Sequence, residues 1–353
     1  MIVKLLKLAP SADISAVEGA LKRLGQWSKR LQDHRGGVSS LLLLPPSPAI
    51  ERDQLLAIEG VIGCAGSESP HPLVDQQRGQ PVTVAGHRFG ESPLFIAGPC
   101  SVESEETAYA AAALVAGAGG RWLRGGAFKP RSSPYAFQGV GEEGLRWLRA
   151  AADAHQLALV TEALSEESVP LVARYADVIQ IGTRNMQNFA LLKAIGAQGL
   201  PTLLKRGFAA TIEEWLLAGE YLLHAGGGPV IFCERGLRSF DSNTRNLLDL
   251  AAVALLKHSY QLPVIVDPSH AAGRRDLVAP LSAAALAAGA DGVIVEAHPD
   301  AGCARSDGPQ ALDREACAAL GAQLLASAPL RLDPLSLSDP AEQPGEPTLH
   351  REP

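Results

Sequence analysis

Four residues far apart in the chain, Cys100, His270, Glu296 and Asp307, supply one thiol, one imidazole and two carboxylates. That mixed sulfur, nitrogen and oxygen set suits a borderline divalent ion such as manganese, iron, cobalt or zinc, with a position left for water or a substrate oxygen. His298, two residues beyond Glu296 and on the same face of an extended strand, reads equally as a further ligand or as a substrate-facing or supporting group. The five cysteines (Cys64, Cys100, Cys233, Cys303 and Cys317) are odd in number, widely spaced and without a C-x-x-C pair, which argues against a disulfide framework or a zinc ribbon. Cys233 and Cys317 read as small core hydrophobes. A second set is cationic: Arg124, Lys129, Arg131, Arg184, Lys205, Arg206 and Arg235. The chain has 31 basic against 38 acidic residues and a net charge of −7, so a local concentration of positive charge implies an anionic ligand. Arginine forks grip phosphate or carboxylate oxygens in pairs and lysine adds a compact charge, so two phosphorylated substrates would fit. Glu162 and Asp267 belong to the same group of segments and are counted as substrate-binding. The bland alternative is that some of the cations pair with Glu162, Glu234 and neighbouring acids on a solvated rim.

These residues share a place in the pattern: each lies just after a short apolar or β-branched run, or in the loop beyond one. The runs fall at 94–97, 122–124, 158–161, 178–181, 202–204, 230–233, 264–266 and 293–295, with Ala- and Leu-rich helical segments between them. Eight strand-helix units over residues 94–328 predict a (β/α)8 TIM barrel, whose chemistry gathers on the loops at the C-terminal ends of the strands. Residues 1–75 read as a small α+β ferredoxin-like domain: a strand at 2–8, an amphipathic helical stretch over 14–31, a strand at 38–44, a helix at 50–58 and a strand near 61–62. Residues 76–93 form a linker with a short hairpin, and the proline-rich 329–353 is expected to be a disordered tail. Gly139-Val140-Gly141-Glu142-Glu143-Gly144 satisfies G-x-G-x-x-G, but it follows a loop and carries two glutamates that would repel a pyrophosphate. No basic stretch suggests nucleic acid, no apolar run approaches the ~18 residues of a membrane helix, and no signal-peptide layout is present, so a cytoplasmic protein is expected.

With these residues in place, the sequence resembles the 3-deoxy-7-phosphoheptulonate (DAHP) synthases, in the barrel subfamily with an N-terminal ferredoxin-like domain. The resemblance is carried by Ala97-Gly98-Pro99-Cys100-Ser101-Val102-Glu103, by Lys129-Pro130-Arg131-Ser132-Ser133-Pro134, by Lys205-Arg206-Gly207-Phe208 and by Cys233-Glu234-Arg235-Gly236. Asp267-Pro268-Ser269-His270, Val295-Glu296-Ala297-His298-Pro299 and Ser306-Asp307-Gly308 complete it. Ser132 stands where threonine is common, and Thr183 where alanine often precedes the arginine.

The resemblance implies condensation of phosphoenolpyruvate with erythrose 4-phosphate, the first step of the shikimate pathway. It assigns Cys100, His270, Glu296 and Asp307 to a divalent metal, and Arg124, Lys129, Arg184, Lys205 and Arg235 to phosphoenolpyruvate. Pro130, Arg131 and Ser132 lie on the loop that takes erythrose 4-phosphate. Lys129 is the expected proton donor, with His270 or a bound water as alternatives, and oxidation is expected to inactivate through Cys100, by pairing with Cys303. The resemblance also implies a homo-oligomer, dimer or tetramer, with an aromatic amino acid effector at the small domain; a domain that only covers the barrel or supports assembly is the equal alternative. Two rival readings remain. One is a 3-deoxy-8-phosphooctulonate synthase using arabinose 5-phosphate. The other is a non-catalytic barrel that partners a chorismate mutase.

Overall fold

Ile14, Val17 and Leu21 recur at helical spacing, and they build helix α1 (Ile14–Arg23), started by Asp13, whose side chain accepts from the amides of Ser15 and Ala16. A computed structural model describes residues 4–32, 38–44, 50–66, 69–129, 135, 137–304 and 306–327. The expectations for Pro130, Arg131, Ser132 and the 329–353 tail fall outside the described residues. The contact pattern divides the chain into two units, meeting between Ser67 and Glu68.

In the first unit α1 stops well short of residue 31. Gly25 takes φ 69°, a left-handed turn that ends the helix, and the chain re-enters as a strand. The unit runs β1 (Lys4–Leu8), α1, β2 (Trp27–Gln32), β3 (Val38–Leu44), α2 (Arg52–Leu56) and β4 (Val61–Gly66). Its sheet is antiparallel in the order β2-β3-β1-β4, the split βαββαβ topology of ferredoxin-like domains. The strand over 27–32 corrects the helical reading of that segment. Leu6, Leu8, Leu41, Leu43 and Val61 turn one sheet face onto Val17, Leu21 and Leu55 of the helices.

In the second unit the short helix α3 (Pro72–Gln77) is held by the barrel: the amides of Leu73 and Val74 donate to Glu220 at 2.9 Å each, and Gln77 bonds both the amide and the carbonyl of Val230. Those bonds tie the segment to a helix and a strand of the barrel. The hairpin β5 (Thr83–Val84) and β6 (His87–Arg88) follows. Eight parallel strands then close into a barrel: β7 (Leu94–Gly98), β8 (Trp122–Arg124), β9 (Ala158–Glu162), β10 (Val178–Ile181), β11 (Thr202–Lys205), β12 (Val230–Glu234), β13 (Val264–Val266) and β14 (Gly292–Glu296), with β14 pairing back onto β7. Helices α4 (Glu105–Gly117), α5 (Glu142–Ala154), α6 (Val169–Ala173), α7 (Phe189–Gly196), α8 (Ile212–His224), α9 (Leu250–Ala254), α10 (Pro268–Ala272), α11 (Val278–Ala287) and α12 (Arg314–Ala326) complete it.

The barrel interior is filled by Ile96, Trp122, Val160, Leu203, Ile231, Ile265 and Ile294, so it is a packed core with no pore through it. Val82, Val84 and Phe89 of the hairpin join that cluster beside Trp122, the first residue of β8, and cover the end where the strands start. Chemistry is thereby left to the opposite mouth. At that mouth Gly98 adopts φ 144°, and a Cβ there would stand 2.1 Å from the carbonyl oxygen of Arg124. Gly98→Ala must strain the backbone or part β7 from β8, at about 3 kcal/mol or more. The expected result is a melting temperature lowered by roughly 10 °C, read by calorimetry.

Candidate active site

Each strand end delivers a polar side chain through local geometry that the sequence prescribes. After β13, Asp267 caps α10 by accepting from the amide of His270 at 3.0 Å, Pro268 opens the helix, and Gly273 at φ 68° closes it. The same carboxylate bonds His270 Nδ1 at 2.7 Å, which leaves Nε2 facing Glu296 Oε1 at 3.2 Å. Asp307 sits at φ 54°, a left-handed conformation that aspartate tolerates, just before Gly308. A hydroxyl pair, Ser101 and Ser306 at 2.7 Å, ties its loop to the loop of Cys100.

The result is a cluster in which one ligating atom each of Cys100, His270, Glu296 and Asp307 lies within 4.8 Å of the others. Cys100 Sγ donates to Asp307 Oδ2 at 2.9 Å. Arg124 Nη1 reaches Glu296 Oε1 at 3.1 Å. Burial alone would lower the His270 pKa, but the carboxylates of Asp267 and Glu296 outweigh it and hold the imidazole up to about 10. Glu296 shows the converse: burial opposes its charge, yet His270 and Arg124 keep its carboxyl far below the usual range. Protons and guanidinium thus neutralise a concentrated set of anionic donors, and a divalent cation among the four would do the same. The donor set fits a borderline divalent ion.

Around the cluster, Arg124, Lys129, Lys205 and Arg235 are buried and Arg184 is exposed. Lys129 loses stability as a cation through burial, but Cys100, Glu162 and Glu296 more than restore it and raise its pKa. Lys205 bonds Asp267 directly, so Asp267 serves behind His270 and Lys205. Glu162 is buried and accepts from Gln180 Nε2 at 3.3 Å. Arg206 departs from the expected rim. It bonds Glu234 and Asp249, each at 2.9 Å, and packs 5.6 Å from the centre of the Trp215 ring, which makes it a buried strut. His298 accepts on Nδ1 from the amide of Asp300 at 3.0 Å, and is not among the four clustered donors. Both Cys100 and Cys303 are free thiols, and Cys303 is exposed beside Asp300.

Residue types alone did not point to Gln310, Arg245 or Asn246. Gln310 donates Nε2 to Glu296 Oε2 at 2.5 Å and accepts Arg245 on Oε1 at 3.0 Å, so its amide orientation is determined by its neighbours. Arg245 also reaches Asp307 Oδ1 at 3.4 Å, and Asn246 Nδ2 donates to the carbonyl of His270 at 2.9 Å. Only the position of Gln310, three residues after Asp307, could have marked it.

Fold and mouth together define a (β/α)8 barrel whose strand ends bring a set of cations to a mixed thiol, imidazole and carboxylate cluster. The chain belongs to the DAHP synthetase I family, whose sequence profile matches residues 80–327. A phospho-2-dehydro-3-deoxyheptonate aldolase of Thermotoga maritima is 56% identical over 221 residues, which cover 63% of this chain and 65% of that relative, a little under two thirds of its length. A 2-dehydro-3-deoxyphosphooctonate aldolase of Thiobacillus denitrificans is 31% identical over 240 residues, covering 63% of this chain and 85% of the relative. Among solved structures, a phospho-2-dehydro-3-deoxyheptonate aldolase (DAHP synthase) from Thermotoga maritima superposes with a TM-score of 0.71 at 41% identity, over 91% of this chain and 95% of that one.

Proposed function

We propose that the chain condenses phosphoenolpyruvate with erythrose 4-phosphate to 3-deoxy-D-arabino-heptulosonate 7-phosphate and inorganic phosphate. The observation that carries this reading is the four-donor cluster set beside Arg124, Lys129, Lys205 and Arg235 at one barrel mouth. The Thermotoga relative's name and its identity support a heptulosonate product over an octulosonate one.

Cys100, His270, Glu296 and Asp307 would hold a divalent metal, which when bound supplies Lewis-acid polarisation of the aldehyde. The chain's own residues do the rest. Arg124, Lys129, Arg184, Lys205 and Arg235 bind phosphoenolpyruvate through its phosphoryl and carboxylate oxygens and present C3 to the aldehyde carbon, converting an encounter of two anions into an oriented reaction. Water then adds at C2 and the phosphate departs. Lys129 is assigned the proton delivered to the aldehyde oxygen.

The test is phosphate release from phosphoenolpyruvate with erythrose 4-phosphate or arabinose 5-phosphate, with and without chelator. Release with the four-carbon aldehyde, lost on chelation and restored by a divalent ion, is expected. Release with the five-carbon aldehyde alone, or with neither, overturns the reading.

Gln310→Leu gives a second check. It removes the donor to Glu296 Oε2 and the acceptor for Arg245 while nearly preserving volume. Metal affinity is expected to fall about 10- to 100-fold, measured by competition with a colorimetric chelator. Unchanged affinity would show that Glu296 needs no support from that side.

A further inference from the structure

Phe208, in the loop after β11, gathers three guanidinium groups. Those of Arg184, Arg235 and Arg238 lie 5.9, 4.9 and 4.9 Å from the centre of its ring. They arrive on different loops, Arg184 after β10 and the other two after β12, and the amide of Arg238 donates to the carbonyl of Phe208 at 2.8 Å, which pins the third arm to the platform.

The neighbouring acids are already engaged. Glu234 holds Arg206 and the amide of Gly236, Asp249 holds Arg206, and Asp267 holds Lys205 and His270. Among the described residues none of the three arginines forms an ion pair with a carboxylate. Arg235 is buried, and burial pulls its pKa below the ordinary guanidinium value. The face of an aromatic ring attracts each cation, but it offsets only part of the repulsion among three. What completes such an arrangement is an anion with three terminal oxygens, each able to accept from a guanidinium fork.

We propose that Arg238 is the third arm of a phosphoryl-binding trident with Arg184 and Arg235, built on the ring of Phe208 and recognising the phosphoryl group of phosphoenolpyruvate. This rests on the functional reading above and adds to it a residue that neither the strand-end pattern nor the family resemblance assigned. Arg238 is exposed, so its replacement leaves the core intact.

Arg238→Met is expected to raise KM for phosphoenolpyruvate about 10- to 50-fold, with kcat within threefold and KM for the aldehyde unchanged. Arg238→Lys should recover part of the loss. Phe208→Leu, which keeps an apolar side chain but removes the ring, should raise the same KM severalfold. Titration calorimetry of the metal-loaded enzyme with inorganic phosphate supplies a readout independent of turnover, and its dissociation constant should weaken in parallel in Arg238→Met. If phosphate affinity and KM for phosphoenolpyruvate both stay within twofold of wild type, or if only the aldehyde KM moves, the trident is wrong. If the unmodified protein releases no phosphate from phosphoenolpyruvate, the functional reading fails and the calorimetry alone decides whether Arg238 binds a phosphoryl group.

Discussion

Cys100→Ala is expected to lower turnover at least ~10^3-fold while the barrel stays folded. Cys100 is 4% exposed and its sulfur lies 2.9 Å from Asp307 Oδ2, inside the four-donor cluster. Removing it leaves three harder donors and takes away the ligand that most favours a borderline ion. Serine should not rescue, because a neutral hydroxyl at pH 7 is a far weaker ligand than a thiolate. The change removes a single sulfur, so stability should fall little, and melting temperature separates loss of metal from loss of fold. Cys233→Ala and Cys317→Ala are the matched controls. Both thiols are fully buried; burial raises Cys233 well above the usual thiol range and pushes Cys317 up to about 12, so neither provides a thiolate. Their variants should keep metal and turnover. The measurements are metal content after dialysis and phosphate release. One equivalent of tightly held metal in Cys100→Ala, with turnover within tenfold of wild type, would remove the thiol from the ligand set.

The barrel was legible because its signal is repeated eight times: an apolar run, a polar residue at its end, a helix. The strands at 122–124, 178–181 and 264–266 were read to the residue at both ends, since β-branched, aliphatic and aromatic side chains there give way abruptly to Gly125, Gly182 and Asp267. The stretch over 14–31 was harder. Its apolar residues continue at near-helical spacing through Leu24 into β2, and only the left-handed turn at Gly25 separates the two elements. At the site, residue type located the donors and most of the cations but not their partners. Arg206 looked like its neighbours until Asp249, 43 residues downstream, was seen to take its charge. Arg238 and Gln310 illustrate the opposite gap. One is an arginine several residues past its strand, the other a neutral amide, and each acquires its meaning from a side chain in another loop.

Lys129→Met is expected to lower kcat about 10^3-fold while raising KM for phosphoenolpyruvate less than tenfold. On the proposed function the two parameters separate because several cations would share the binding of phosphoenolpyruvate, whereas a proton has to be delivered at one place. Lys129 is 8% exposed, and its amide is fixed to the carbonyl of Gln138 at 2.8 Å. Room for its stem comes from Gly126, where a Cβ would stand 3.3 Å from Lys129 Cδ. The neighbouring acidic groups, Glu162 and Glu296 among them, raise the Lys129 pKa against the cost of burial, so on the proposed function the resting state holds the proton that the aldehyde oxygen would take up as the new carbon–carbon bond forms. Lys129→Arg discriminates between the two roles open to this side chain. A guanidinium keeps the positive charge but does not release a proton near neutrality. If charge alone matters, arginine should restore most of kcat. If proton delivery matters, arginine should fail about as badly as methionine, with KM close to wild type. Full turnover in Lys129→Met would pass the proton to His270 or to a bound water and leave Lys129 as one of several binding cations.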